Sequence, residues 1–313
     1  MVNSNNKTIK RAALIGLGTI FLEYKEGLVA TDKFNLVALM DISEEARGLD
    51  MFPELPFYTS FDDLLKNEEI DLVIISTPPS SHYELIKTAL EAKKDVIVEK
   101  PMLLNIDKIK ELYALANSLN LTLNTAYHWQ NGEEVKQFNK TYDAKKIEEI
   151  SIMVDDPYSD DGVNISDNKK HLEGCWIDSG VNALSLIKTW LPFNETIVEN
   201  VEIVFANNIH QPIYSKVELM IDKVKVSIRV DWRNNKNSKK SYLIYDGKRI
   251  EINHSEQSIV GIDKTALFNS MNRLSRHYYN YFSYFDYSTN YEETIKIHDV
   301  LLKVRDLYEK KSN

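Results

Sequence analysis

IKRAALIGLGTIF, residues 9–21, sets an unbroken apolar run, Ala12 to Ile15, directly before the glycine turn Gly16-Leu17-Gly18 and a segment able to open a helix. A strand covered on both faces is apolar throughout rather than alternating. Glycines at its end permit a tight turn, and they let backbone N–H groups and a helix N-terminus approach a phosphate. Gly16, Gly18, Thr19 and Ile20 are therefore candidate dinucleotide contacts. Phe21 stands where a third small residue is expected, so the helix there must pack differently.

Outward from this stretch the pattern recurs. FNLVALMD (34–41), DLVIISTP (71–78), KDVIVEK (94–100) and LTLNTAY (121–127) are further apolar runs, and SHYELIKTALEAKK (81–94) and IDKIKELYALANSLN (106–120) have helical spacing. A β-α-β-α series predicts a doubly wound parallel sheet with right-handed crossovers over residues 1–123. Ser81 with Glu84 predicts a capping box at the start of one of these helices. Asp41 ends the second apolar run, where a carboxylate can accept hydrogen bonds from an adenosine ribose. Its charge would repel a 2′-phosphate, which favours NAD over NADP. A solvated carboxylate at a strand end is the alternative role for Asp41.

Residues 124–313 have a different period. Val224, Val226, Ile228 and Val230 alternate with Lys225, Ser227, Arg229 and Asp231, as in a strand buried on one face. Asp246-Gly247 lies between strand-like arms and signals a hairpin. A mostly antiparallel open sheet with flanking helices, an α+β domain, is expected. Two helices follow in its tail. One is aromatic, near Thr265 to Phe285, with Phe268, Tyr278, Tyr281, Phe282 and Phe285 reading as core or interface residues. The other carries the stripe Ile297, Leu301, Val304, Tyr308.

The 313 residues carry 38 basic and 47 acidic side chains, a net charge of −9, which opposes attraction to nucleic-acid backbones or anionic lipid. A single cysteine, Cys175, excludes an internal disulfide and a cysteine-built metal site, and suits a reducing cytoplasm. The seven histidines lack metal-ligand spacing, so no metal is expected. Lys7, Lys10 and Arg11 before Ala12–Leu22 imitate a signal peptide, but no small-residue cleavage site follows and no run is long enough to span a membrane. A soluble, unprocessed protein is expected.

EGCWIDSGVNALSLIKTW (173–190) has helical periodicity, and Asp178 and Asn182, four residues apart, share a face near its start. In isolation such a pair more often caps a helix. Together with GLGTIF, STPPSSH (76–82), Glu99-Lys100-Pro101 and the two-domain plan, however, this D-x-x-x-N resembles the Gfo/Idh/MocA family of nicotinamide-dependent sugar and polyol oxidoreductases. The resemblance implies a Rossmann domain followed by a substrate domain. It further implies that Thr77, Pro78, Pro79, His82, Glu99 and Lys100 line the cofactor, that Lys100 reaches the reacting hydroxyl, and that Asp178 and Asn182 face the substrate.

The family most often has histidine where this chain has Asn182, and an amide cannot take up a proton near neutral pH. DSGVNALSL is similar to the L-arabinose and D-galactose 1-dehydrogenase subgroup, which also carries Asp then Asn, and Tyr127-His128-Trp129 is similar to its Trp-His segment. Those likenesses imply oxidation of an aldose at C1 to a lactone, with Lys100 steadying the alkoxide, Asp178 as base and His128 in the cleft. They also imply a homodimer or homotetramer. His128 as a structural residue is an equal alternative, and His82 reads as a helix-start residue rather than a catalytic one. Two other readings stay open: a different reaction of the same family, such as oxidation of a ring hydroxyl in an inositol or amino sugar or reduction of a ketone, and a nucleotide-binding regulator without catalysis. DDPYSDDGVNISDNKKH (155–171) departs from the subgroup, so the sugar's identity is set by loops the resemblance does not cover.

Overall fold

Six short strands, β1 (Lys10–Ile15), β2 (Phe34–Met40), β3 (Phe57–Tyr58), β4 (Leu72–Ile75), β5 (Asp95–Glu99) and β6 (Leu123–Ala126), form one sheet in the order β3-β2-β1-β4-β5-β6. All its pairs are parallel. The protein is described by a computed structural model covering residues 9–46, 51–66, 69–261, 265–266 and 273–312. Lys7 and Phe268, used in the sequence reading, lie outside the described residues. The strand order reverses between β1 and β4, the place where open α/β sheets bind ligands at the carboxyl ends of their strands. All four residues of β4 and all five of β5 are buried, which explains the unbroken apolar runs Leu72–Ile75 and Val96–Val98. Helices α1 (Phe21–Ala30), α2 (Phe61–Leu65), α3 (Pro79–Glu91) and α4 (Ile106–Ser118) alternate with these strands.

The expected capping box at Ser81 is not formed. Helix α3 opens at Pro79, whose ring already holds a helical φ, so Ser81 falls inside the first turn. Its hydroxyl turns back to Pro78 O (2.8 Å) and pairs with Thr77 Oγ1 (2.7 Å).

A second sheet contains β7 (Ile147–Asp155), β8 (Thr196–Phe205), β9 (Pro212–Ile221), β10 (Val224–Asp231), β11 (Ser238–Tyr245), β12 (Lys248–Asn253), β13 (Ser258–Val260) and β14 (Thr265–Ala266). Its order is β14-β13-β12-β11-β7-β10-β9-β8. Only β7 and β10 run parallel; the other pairs are antiparallel. Asp246 (φ +50°) and Gly247 (φ +71°) make the β11–β12 turn with the positive φ values that match strand twist. Val226, Ile228 and Val230 of β10 are buried, as their alternation predicted. They join a core with Trp176, Leu184 and Trp232. Helices α5 (Glu133–Thr141) and α6 (Val181–Lys188) belong to this unit.

The aromatic helix differs from expectation in both start and location. Thr265–Ala266 is strand, and the described helix, α7 (Arg273–Ser283), belongs with the parallel sheet from Leu274 onward. Its Tyr278 and Phe282 are fully buried against Tyr24 and Phe34, because a ring-rich helix face gains most where other large rings await it. Helix α8 (Tyr291–Ser312) buries Ile297, Leu301, Val304 and Tyr308 in the second core.

Two units result. One contains the described residues up to Glu99 with Lys110–Ala126 and Leu274–Tyr291; the other contains Lys100–Ile109, Tyr127–Arg273 and the residues from Glu292. Among the described residues no helix is long and apolar enough to cross a membrane.

Candidate active site

In the parallel-sheet unit, Gly16 lies at φ +91°, and a Cβ there would sit 2.8 Å from Thr77 Cγ2 and 3.0 Å from the Ser76 carbonyl carbon. Only glycine lets the β1 turn lie this close to the β4 turn. Ser76 Oγ donates to Gly16 O (2.7 Å), fastening the two together. Gly18 is different. A Cβ there would meet no protein atom within 4 Å, so internal packing does not demand glycine. Bare backbone facing open space suits a pyrophosphate, and Ile20, at the N-cap of α1, offers no side chain to satisfy the helix's first N–H groups. Phe21 opens α1 with its ring fully buried in the core. The third position of the glycine turn is thus a core anchor.

Asp41 does structural work as well. Its Oδ2 accepts from Leu17 N (2.7 Å) and its Oδ1 from Ser43 N (3.0 Å), which holds the carboxylate at the glycine turn. Each oxygen retains a second lone pair, so a ribose can still be met. The His82 ring is fully buried and its Nε2 lies 2.8 Å from Thr77 O, where it braces the Thr77–Pro79 turn. Glu99, buried at the end of β5, accepts hydrogen bonds from the Tyr24 and Tyr278 hydroxyls. Burial first, and the Glu99 charge second, hold the Tyr24 phenol well above its usual range.

The second unit assembles the other candidates. Lys100 begins it, followed by a cis bond to Pro101; Met102 N donates to His298 Nε2 (3.1 Å), tying this segment to α8. With Nε2 accepting, the other ring nitrogen of His298 carries the hydrogen, placed 2.9 Å from Thr294 O. Burial pushes the His298 imidazole down to about 4. Asp178 lies in a π-helical turn, Trp176–Gly180, inserted ahead of α6. Such wide turns recur at functional sites. Trp176 is fully buried, and a Cβ on Gly180 would strike its ring at 2.7 Å.

Lys100 Nζ donates to Asp178 Oδ1 (2.7 Å) and to Asp178 O (3.1 Å). The side chains are 11% and 14% exposed, sheltered yet reachable. Asn182 Nδ2 donates to Asp178 O (3.3 Å), while its Oδ1 is buried with no hydrogen-bond partner among the described residues. Lys100, Asp178 and Asn182 therefore converge, and neither polar side chain caps α6, whose N-cap is Gly180. The group can hold a polar ligand and move a proton between an ammonium and a carboxylate.

His128 is buried in a 3₁₀ turn (His128–Asn131) after β6. Gln130 of that turn donates to Ser185 O of α6 (3.0 Å), and Trp129 stacks on His254 at 5.2 Å. The sequence reading missed Ser179, Asp156, Tyr158 and Lys239. Ser179 Oγ lies 3.1 Å from Asp156 Oδ2 and 3.4 Å from Asp178 Oδ2. The available signal was the Asp155-Asp156 pair at the carboxyl end of an apolar strand. Tyr158 has its phenol pushed up, by burial first and then by the Asp156 and Asp178 charges.

Residues 10–127 match the family model described as GFO_IDH_MocA, oxidoreductase family, NAD-binding Rossmann fold. An uncharacterized oxidoreductase of Schizosaccharomyces pombe is 37% identical over 119 residues, 37% of this chain and 32% of that protein. A 1,5-anhydro-D-fructose reductase of Ensifer adhaerens is 29% identical over 126 residues, 39% of this chain and 38% of its own. The chain thus spans about a third of the length of these relatives. A crystal structure of a dehydrogenase from Clostridium difficile superposes with a TM-score of 0.80 at 18% identity over 95% of this chain and 99% of that one, a likeness of fold. The matched segment holds the glycine turn, Ser76–Pro79 and Glu99–Pro101, so residues 10–127 are similar to the NAD-binding Rossmann fold of that oxidoreductase family.

Proposed function

We propose that this chain is an NAD-dependent sugar dehydrogenase that oxidises a ring-form aldose at C1 to the lactone. The observation that carries the reading is the sheltered ion pair between Lys100 and Asp178, 2.7 Å apart, with Asn182 against the same backbone carbonyl. A bound nicotinamide would supply the hydride acceptor. Gly16, Gly18, the α1 N-terminus, Asp41 and the Thr77–Pro79 turn would hold it, and the bare Gly18 backbone fits that role.

The chain's own work is to orient the sugar and manage one proton. The Lys100 ammonium donates to the reacting hydroxyl and favours its alkoxide. Asp178 takes the proton directly on Oδ2, the oxygen that Lys100 does not hold. Asn182 keeps a carbonyl oxygen for a sugar hydroxyl, which explains how an amide can serve where histidine is commoner. Asp41, its charge pinned beside the glycine turn, disfavours a 2′-phosphate and supports NAD. The similarity to a 1,5-anhydro-D-fructose reductase supports a sugar-class substrate.

Turnover of a panel of aldoses and polyols with NAD and NADP tests the proposal. Lactone formation from an aldose with NAD is expected. Oxidation confined to inositol-type ring hydroxyls would refute the C1 assignment, and preference for NADP would refute the role of Asp41.

A further inference from the structure

Behind Asp178 the second unit buries a set of polar groups that the reaction above leaves unused. Lys239, only 4% exposed, donates from Nζ to Asp156 Oδ1, to Asn237 Oδ1 and to Asp155 O (3.4 Å). The other oxygen of Asp156, Oδ2, accepts from Ser179 Oγ (3.1 Å), and Trp232 Nε1 donates to that same hydroxyl (3.3 Å). Ser179 Oγ also lies 3.4 Å from Asp178 Oδ2. A hydroxyl has one proton, so it can serve only one of the two carboxylates. The shorter contact assigns it to Asp156. With both carboxylates charged, Asp178 Oδ2 then faces a hydroxyl oxygen with no proton between them.

We propose that Ser179, Asp156 and Lys239 are positioning residues that stabilise Asp178 in the state it reaches after taking the substrate's proton. This rests on the proposed roles of Lys100 and Asp178. The proton added to Asp178 sits on Oδ2 and is donated to Ser179 Oγ, which keeps its own proton on Asp156. Trp232 and Asp178 then fill both lone pairs of the hydroxyl, its proton goes to Asp156 Oδ2, and Lys239 holds Oδ1. No bond within the relay breaks, and the only proton moved is the one lost by the sugar. The relay thus rewards the product of the proton step and discriminates against its starting state, which is the form useful catalysis takes.

The groups facing Asp178 come from several elements: Lys100 after β5, Asp156 and Tyr158 after β7, His171 and Cys175 in the chain leading into the π turn, and Lys239 of β11. Arg273 faces Tyr158 and Lys239 in turn. Burial pushes the Lys239 ammonium down and the Asp156 charge opposes that shift, so the pair is held together by mutual need.

Asp156→Asn separates the possibilities. Its carbonyl oxygen can keep Lys239, while its Nδ2–H donates to Ser179 and turns the serine proton onto Asp178, favouring the charged carboxylate. The acid limb of the kcat/KM profile for the aldose should move to lower pH by about one unit, the size expected for removing one nearby charge at protein-like screening. A merely structural role would scale the rate equally at every pH. Ser179→Ala provides a second reading: kcat should fall about tenfold, less than the roughly 10²–10⁴-fold of a direct proton-transfer group because Ser179 acts through Asp178, with the sugar KM unchanged. Turnover with an unmoved limb in Asp156→Asn, or an unchanged kcat in Ser179→Ala, overturns the relay and leaves the Lys100 and Asp178 roles standing. Absence of turnover by the unaltered chain on the whole panel overturns those roles, and the relay with them.

Discussion

Lys100→Met removes an ammonium and keeps most of an apolar stem, so its effect reports the charge. Asp178 then loses both hydrogen bonds from Lys100, at Oδ1 and at its main-chain oxygen, where the Asn182 amide remains. Stranding one partner of a fully buried ion pair costs about 3–5 kcal/mol. Asp178 is 14% exposed and water can reach it, so about 2–3 kcal/mol is expected for Lys100→Met. Asp178→Asn strands the ammonium in the same way. The double variant strands no charge, and should therefore be more stable than the sum of the singles by about 1–2 kcal/mol. Turnover should respond differently. Loss of a donor aimed at a developing oxyanion lowers kcat by about 10²–10³, and because both residues act on one proton, the double variant should be about as slow as the slower single. Urea unfolding and the absorbance of reduced nicotinamide measure the two cycles. Near-normal turnover in Lys100→Met, or strict additivity in both cycles, would refute the coupling.

Gly16→Ala should destabilise the parallel-sheet unit by more than about 1 kcal/mol, since the φ is positive and the Cβ meets Thr77, whereas Gly18→Ala should leave urea stability unchanged and weaken dinucleotide binding in a fluorescence titration. Asp41→Ala should cost about 1–2 kcal/mol, from the Leu17 and Ser43 amides it leaves unpaired, and should narrow the NAD-over-NADP preference in steady-state assays; unchanged discrimination would count against its role. His298 is held neutral, at about 4 against an ordinary 6.5. Because its pKa is depressed on folding, the unfolded chain binds the extra proton first. Stability is therefore full above about pH 6.5 and declines by about 3 kcal/mol as pH falls to about 4. His298→Gln, melted across that range, should lack this decline.

What could be read in advance divides by the distance over which each feature is encoded. The Gly16–Gly18 turn, the continuous β4 and β5 runs, the alternation of Val226, Ile228 and Val230, and the Asp246-Gly247 hairpin are local, and the observed strands follow them. The parallel β7–β10 pair inside an otherwise antiparallel sheet is not local, because nothing in either strand names its partner. Helix α7 shows the same limit: its rings announced burial, but the ring cluster that receives them, Tyr24 and Phe34, lies more than two hundred residues away in the chain. At Ser81 two local signals competed, and the proline at the first helical position prevailed over the serine. In the candidate site, Lys100 and Asp178 were legible because the motifs containing them are short. Ser179, Asp156 and Lys239 were not, since their meaning comes only from the hydroxyl that joins them.

Glu99 and Lys100 are neighbours in sequence but are held by different partners, and this bears on how the site can function. Glu99 ends β5 and is fixed by Tyr24 from α1 and Tyr278 from α7, within the parallel-sheet unit. Lys100 is fixed by Asp178, and two residues on Met102 is fixed by His298, within the other unit. The peptide link between the two charges is thus also where the backbone passes from one unit to the other. An ammonium tied only through Lys100's own backbone would depend on that link for its position relative to Asp178. Here His298 Nε2, which accepts from the Met102 amide, and the Asp178 carboxylate and carbonyl supply three anchors from the unit that also carries Asn182, Ser179, Asp156 and Lys239. These polar groups therefore form one internally braced set within that unit.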